Sequence, residues 1–108
     1  VKNKILLLVA ACAVIAGCTP YKELTPGGES VKFVESKPKD CKSLGDIDSS
    51  GMGLTRSESL TWIRNKAAAE GADTFRIENE SIETMSGYCI GCPNQMYAHR
   101  AYIYKCDK

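Results

Sequence analysis

Thr55-Arg56-Ser57-Glu58-Ser59-Leu60-Thr61-Trp62-Ile63-Arg64-Asn65-Lys66-Ala67-Ala68-Ala69-Glu70-Gly71 is the stretch on which the fold turns. It carries its own start and stop. Thr55 and Glu58 have the spacing of a capping box, in which the threonine hydroxyl accepts from the third helical amide and the glutamate reaches back to the threonine N–H. Leu60, Ile63 and Ala67 then recur at helical spacing, with Trp62 at the edge of the apolar stripe and Arg64, Asn65 and Lys66 turned outward. Gly71 suits the left-handed position just past a helix end. The spacing predicts a helix over residues 56–70.

Strand signals flank this helix on both sides. Residues 31–35 form a short β-type run with Val31 and Phe33 on one face, ended by Ser36-Lys37-Pro38-Lys39-Asp40. Residues 41–47 form a second strand. Leu44 and Ile47 fall on opposite parities there, so a bulge near Gly45 is needed for them to share a face. Beyond the helix, residues 72–78 alternate with Phe75 and Ile77 inward, and Ile82 falls out of phase, which predicts a bulge or bend before Thr84. A long turn over residues 86–94 leads to a final strand at 96–106, with Ala101 and Ile103 on one face and Tyr102 and Tyr104 on the other.

The order ββαββ defines an α+β fold: a small, mostly antiparallel four-stranded sheet with one helix packed on one face. A right-handed crossover through the helix makes the third strand parallel to the second. If the fourth strand hairpins back and inserts between them, the start of the second strand lies beside the end of the fourth. Cys41 then meets Cys106 at disulfide spacing. Closing so long a loop stabilises a domain by about 4 kcal/mol on the chain-entropy model.

The N-terminal region reads as an address rather than a fold. Lys2, Asn3 and Lys4 precede an apolar run over residues 5–15, and no acid occurs before Glu23. This is the charge and length pattern of a secretory signal, too short for the roughly 20 apolar residues of a membrane-spanning helix. Ile15-Ala16-Gly17-Cys18 resembles the lipobox of bacterial lipoproteins. The resemblance implies cleavage before Cys18 and a covalent diacylglycerol and N-acyl lipid (palmitate) on that cysteine. Thr19 in the next position implies, by the same resemblance, the periplasmic leaflet of the outer membrane. The expected organisation is a cleaved signal peptide at 1–17, a lipidated N-terminus and flexible tether at 18–30 carrying Pro20, Pro26, Gly27 and Gly28, and one α+β domain at 31–108. Extended, a dozen tether residues reach about 40 Å.

Charge and cysteine content narrow the function classes. The formal charge is +1, and removal of Lys2 and Lys4 with the signal makes it −1, with no basic patch of the kind nucleic acid requires. A domain this small often needs a covalent staple. Cys12 leaves with the signal and Cys18 takes lipid, so Cys41, Cys89, Cys92 and Cys106 remain, an even set with three possible connectivities in an oxidising compartment.

Cys89-Ile90-Gly91-Cys92 is the sharpest chemical candidate. A redox pair needs a thiol of depressed pKa at a helix N-terminus or beside a cation, whereas this pair falls in a hairpin loop followed by Pro93. A structural disulfide within the loop is the favoured reading. A zinc site would need two further ligands, and His99 is the only histidine, so no metal and no cofactor are expected. His99, with no nucleophile or carboxylate pattern beside it in sequence, is placed at a partly exposed strand position. Arg64-Asn65-Lys66 reads as a solvated helix face. Tyr88, Tyr97, Tyr102 and Tyr104 could line an exposed sheet face suited to a protein partner.

Leu24 and Gly28 ahead of Val31, Cys41 with Leu44-Gly45, Arg64-Asn65-Lys66-Ala67-Ala68 with Gly71-Ala72, and the closing Tyr104-Lys105-Cys106 together resemble the DUF4156 family of small bacterial lipoproteins. More remotely the chain resembles the RcsF envelope-stress lipoprotein, although Cys41 precedes Leu44-Gly45 here instead of following it. The expectation is a non-enzymatic lipoprotein, anchored to the bilayer through Cys18, that binds an envelope partner or serves a structural role, without nucleic acid. The alternative is a thiol-redox or metal-responsive sensor using Cys89 and Cys92.

Overall fold

A computed structural model describes residues 19–84 and 95–106. The signal segment, Cys18, and the turn containing Tyr88, Cys89 and Cys92 lie outside the described residues. In chain order the elements are α1 (Pro26–Glu29), β1 (Lys32–Phe33), β2 (Lys42–Asp48), α2 (Arg56–Ala69), β3 (Thr74–Thr84) and β4 (Gln95–Lys105).

Both ends of α2 form as local chemistry dictates. Glu58 N–H donates to Thr55 Oγ1 at 3.2 Å and Thr55 N–H to Glu58 Oε1 at 3.0 Å, completing the capping box. At the other end Gly71 adopts φ 88°. Its N–H donates to Ala68 O and that of Ala72 to Ala67 O, the paired bonds of a Schellman motif that a residue with a Cβ would reach only under strain.

The sheet order is β1-β3-β4-β2. β4 lies antiparallel to both β2 and β3, and β1 pairs with β3 in parallel. β4 therefore sits between β2 and β3, which run parallel, and Cys41 is bonded to Cys106 with a Cα separation of 4.3 Å. The register of β2 shifts between Ser43 and Gly45, and that of β3 between Ile77 and Asn79. The first shift lets Leu44 and Ile47 both reach the core. The second inserts Glu78 as an extra residue, which returns Glu80 and Ile82 to the face occupied by Phe75 and Ile77.

Between helix and sheet lie Val31, Ile47, Ile63, Ala67, Ala72, Phe75, Ala101 and Ile103, with Leu44, Trp62, Ala68 and Ile77 packed around them. Phe33 does not join Val31 inside. β1 is an edge strand two residues long, and Phe33 stays 50% exposed, tilted against Phe75 with ring centroids 5.5 Å apart. Tyr104 is buried, not displayed on an open sheet face. Because β1 and β2 occupy opposite edges, their connector must cross the width of the sheet, and it brings Lys37 beside Arg76, Tyr102 and Tyr104.

The segment expected to be a free tether is docked from Pro20 onward. Asn65, expected outward, is 3% exposed and holds it. Its Nδ2 donates to Pro20 O and Glu23 O, both at 2.9 Å, while its Oδ1 accepts from Thr25 N at 2.9 Å and Thr25 Oγ1 at 3.1 Å. All four hydrogen-bonding positions of the amide are thereby used. Thr25 in turn caps α1, accepting from Gly28 N–H at 2.9 Å. Gly28 packs so close that a Cβ there would collide with Asn65 Oδ1.

Candidate functional site

Two features stand out beside the N-terminal half of α2. The first is a buried polar circuit. His99, expected at a partly exposed position, is fully buried, as are Ser49 and Ser59. Strand parity explains the placement, since His99 shares the inner face of β4 with Ala101 and Ile103. Ser59 lies one turn before Ile63 on the inner stripe of α2. His99 Nε2 lies 2.7 Å from Glu80 Oε2, His99 Nδ1 is 2.6 Å from Ser59 Oγ, and Ser59 Oγ is 2.5 Å from Ser49 Oγ. The His99 backbone N–H donates back to Ser49 Oγ at 2.9 Å, and Ser49 N–H donates to His99 O at 3.0 Å.

One assignment satisfies every group in the circuit. Ser49 donates to Ser59, Ser59 to His99 Nδ1, and His99 Nε2–H to Glu80, whose carboxylate also accepts from Arg56 Nε at 3.0 Å. The hydrogen bond from His99, followed by that from Arg56, holds the Glu80 carboxyl below the ordinary carboxylate range against the opposing effect of partial desolvation. The residue types are those of a hydroxyl–imidazole–carboxylate catalytic relay, yet the hydroxyls have no exposed surface. A nucleophile must reach a substrate carbonyl, and Ser59 Oγ instead faces two internal partners. The circuit is a polar clasp joining α2, β3, β4 and the loop after β2.

The second feature opens to solvent. A groove of about 430 Å³ lies between α2 and β3, lined by Phe33, Phe75 and Ile77 on the sheet side and by Leu60 and Arg64 on the helix side, with Arg56, Glu80 and His99 at one end. Leu60, expected in the core stripe, forms part of this wall. Arg64 donates from Nη1 to Val31 O at 2.8 Å and stacks over Phe75 at 5.2 Å. It has no carboxylate partner among the described residues.

Neither feature is visible in the sequence: His99 stands far from Ser59 and Glu80 along the chain, and Arg64 falls in the run Arg64-Asn65-Lys66 that has the pattern of a solvated face. Ser59 on an otherwise apolar stripe and His99 at inward parity were the signals available. Cys89, Cys92 and Cys18 lie outside the described residues. Among the described residues no group of three His, Cys, Asp or Glu side chains could hold a metal ion, and no helix is long and apolar enough to cross a membrane.

Fold and site together describe a small disulfide-stapled α+β domain with an apolar, cation-rimmed groove beside its helix. Residues 22–106 match the family model described as Domain of unknown function (DUF4156), and the chain belongs to this family. No curated protein and no solved structure matches it. Residues on which the resemblance rested prove to be structural partners: Gly28 packs on Asn65, Cys41 bonds to Cys106, and Gly71 ends α2.

Proposed function

We propose that this chain is a bacterial lipoprotein, lipid-anchored in the cell envelope through Cys18, whose domain binds an envelope partner and performs no covalent chemistry. The observation that carries the binding part of this reading is the contrast between the two features beside α2: the only hydroxyl–imidazole–carboxylate arrangement among the described residues is sealed, while the apolar groove is open. A ligand-sized, mostly apolar concavity with a few polar groups is the usual form of a binding site. The anchoring part rests on the sequence: Lys2 and Lys4 ahead of the apolar run, and Ile15-Ala16-Gly17-Cys18 in the pattern of a lipobox. Thr19 supports the outer membrane as the destination.

Metabolic labelling with tritiated palmitate in a Gram-negative host, followed by density fractionation of the envelope, tests the anchor. The expected result is a labelled band in the outer-membrane fraction that disappears in Cys18→Ala. Label that survives the substitution, or a parent protein that takes up none, refutes the proposal.

A further inference from the structure

β1 pairs with β3 only at Thr74 and Phe75, its last bond running from Val34 N–H to Phe75 O at 3.0 Å. From Arg76 to Thr84, β3 keeps β4 on one side, and no strand lies against its other side among the described residues. The Phe75 carbonyl sets the alternation, and the pairing with β4 carries it past the bulge. The N–H and C=O groups of Ile77, Glu80 and Ile82 therefore face the open side. Nine residues of strand extend about 30 Å, and an unpaired edge of that length is a template for another strand.

The groove lies against this edge. Phe75, Ile77 and Glu80 belong to β3 itself, and Leu60, Arg56 and Arg64 form the facing helix wall. A strand added to β3 would continue the line on which β1 stops, and alternate side chains would fall over the groove. Two exposed apolar side chains mark the ends of the path: Phe33, 50% exposed, where β1 ends, and Ile82, 53% exposed, on the same face farther along β3.

Charge selects the occupant. Among the described residues Arg64 has only a carbonyl and an aromatic ring as partners, and Arg56, whose side chain is 60% exposed, shares Glu80 with His99. Two guanidinium groups thus face the groove against one carboxylate already engaged. A second copy of this chain fits poorly, because antiparallel pairing of two β3 edges would bring Glu78, Glu80 and Glu83 of each copy together, and like charges across a strand pair are destabilising.

We propose that the open edge of β3 and the adjoining groove bind an extended peptide segment of a partner protein, added as a fifth strand. One aliphatic side chain of that segment lies in the groove and an acidic residue lies at Arg64, the guanidinium without a carboxylate partner among the described residues. This rests on the reading of the groove as the binding surface and names what it holds. Backbone pairing supplies affinity in such complexes, and pockets for alternate side chains supply specificity.

Selection of a phage-displayed random dodecapeptide library on the purified full chain tests this, with laurate as a second probe. Enriched peptides should combine aliphatic and acidic residues. Their affinity should fall about tenfold or more when alternate amides on one side are N-methylated, and likewise on Ile82→Pro, because one lost backbone bond in a buried ladder has about that effect. Ile82→Pro removes an outward N–H and leaves the β4 ladder intact, so its melting temperature should stay near that of the parent. Arg64→Met should weaken acidic peptides selectively. Failure to enrich peptides, or equal binding to Ile82→Pro, overturns the proposal. Laurate binding that is lost on Leu60→Asp, without peptide binding, overturns strand addition while leaving the groove as a binding surface. A concentration-dependent dimer abolished by Ile82→Pro overturns it in favour of a second copy.

Discussion

Replacing Asn65 with alanine removes the group that holds residues 20–28 to the helix. The wild-type amide makes four hydrogen bonds, two donated to Pro20 O and Glu23 O and two accepted from Thr25. Each bond of this kind contributes about 0.5–1.5 kcal/mol net, so their joint loss should cost about 3 kcal/mol. In a domain of this size that lowers the melting temperature by roughly 15 °C. Two readouts are needed, because the segment could detach before the rest unfolds and so limit the thermal loss. Differential scanning calorimetry reports the whole domain, and hydrogen exchange at Gly28 and Glu29 reports the segment, since both amides are bonded to Thr25 in the wild type. Gly28→Ala should reproduce the effect: alanine favours a helix over glycine by about 1 kcal/mol, but its Cβ would strike Asn65 Oδ1. An Asn65→Ala protein that melts within about 2 °C of the parent, with both amides still protected, refutes the reasoning.

Cys41→Ser, which opens a loop of sequence separation 65, should cost about 4 kcal/mol in a urea unfolding curve, and the double variant with Cys106→Ser should lose no more than either alone, because the two sulfurs act as one unit. Glu80 has its folded pKa held below the ordinary value of 4.5, so its contribution is full above that pH and is lost as pH falls through the lower folded value. Glu80→Gln should therefore destabilise the protein at neutral pH and approach the parent in increasingly acid melts, and a difference that stays constant down to about pH 3 contradicts this assignment. Ser59→Ala leaves His99 Nδ1 and Ser49 without their shared partner in a buried site and should cost about 1–3 kcal/mol by chemical denaturation. It should leave groove binding unchanged, since Ser59 does not line the groove.

Much of the fold was legible because its determinants are local or topological. The capping box and Gly71 delimit α2 through contacts spanning a few residues. Parity breaks at Leu44 and Ile82 announced both bulges, and the crossover rule brought Cys41 to Cys106. The docked N-terminal segment was not legible, because Asn65 finds its partners 40 to 45 residues away and leaves no periodic trace. A polar side chain on a helix reads as solvated unless something pairs with it. His99 and Ser59 failed to stand out for a related reason: their positions pointed inward and their chemistry pointed outward, and only a closed circuit of donors and acceptors reconciles the two. The groove is a property of where β1 stops pairing, and residues 31–35 carry no sign that only two of them join the sheet.

Docking of the chain from Pro20 also changes the mechanics of the proposed anchor. A free tether of a dozen residues would let the domain roam about 40 Å from the bilayer, whereas the two residues from Cys18 to Thr19 span only about 7 Å. A lipid on Cys18 would then act as a short pivot close to the turn of α2 that carries Asn65, and the domain would ride close to the headgroups. Encounters with a partner become a search in two dimensions along the membrane surface, and only partners presenting a segment at that height would be captured.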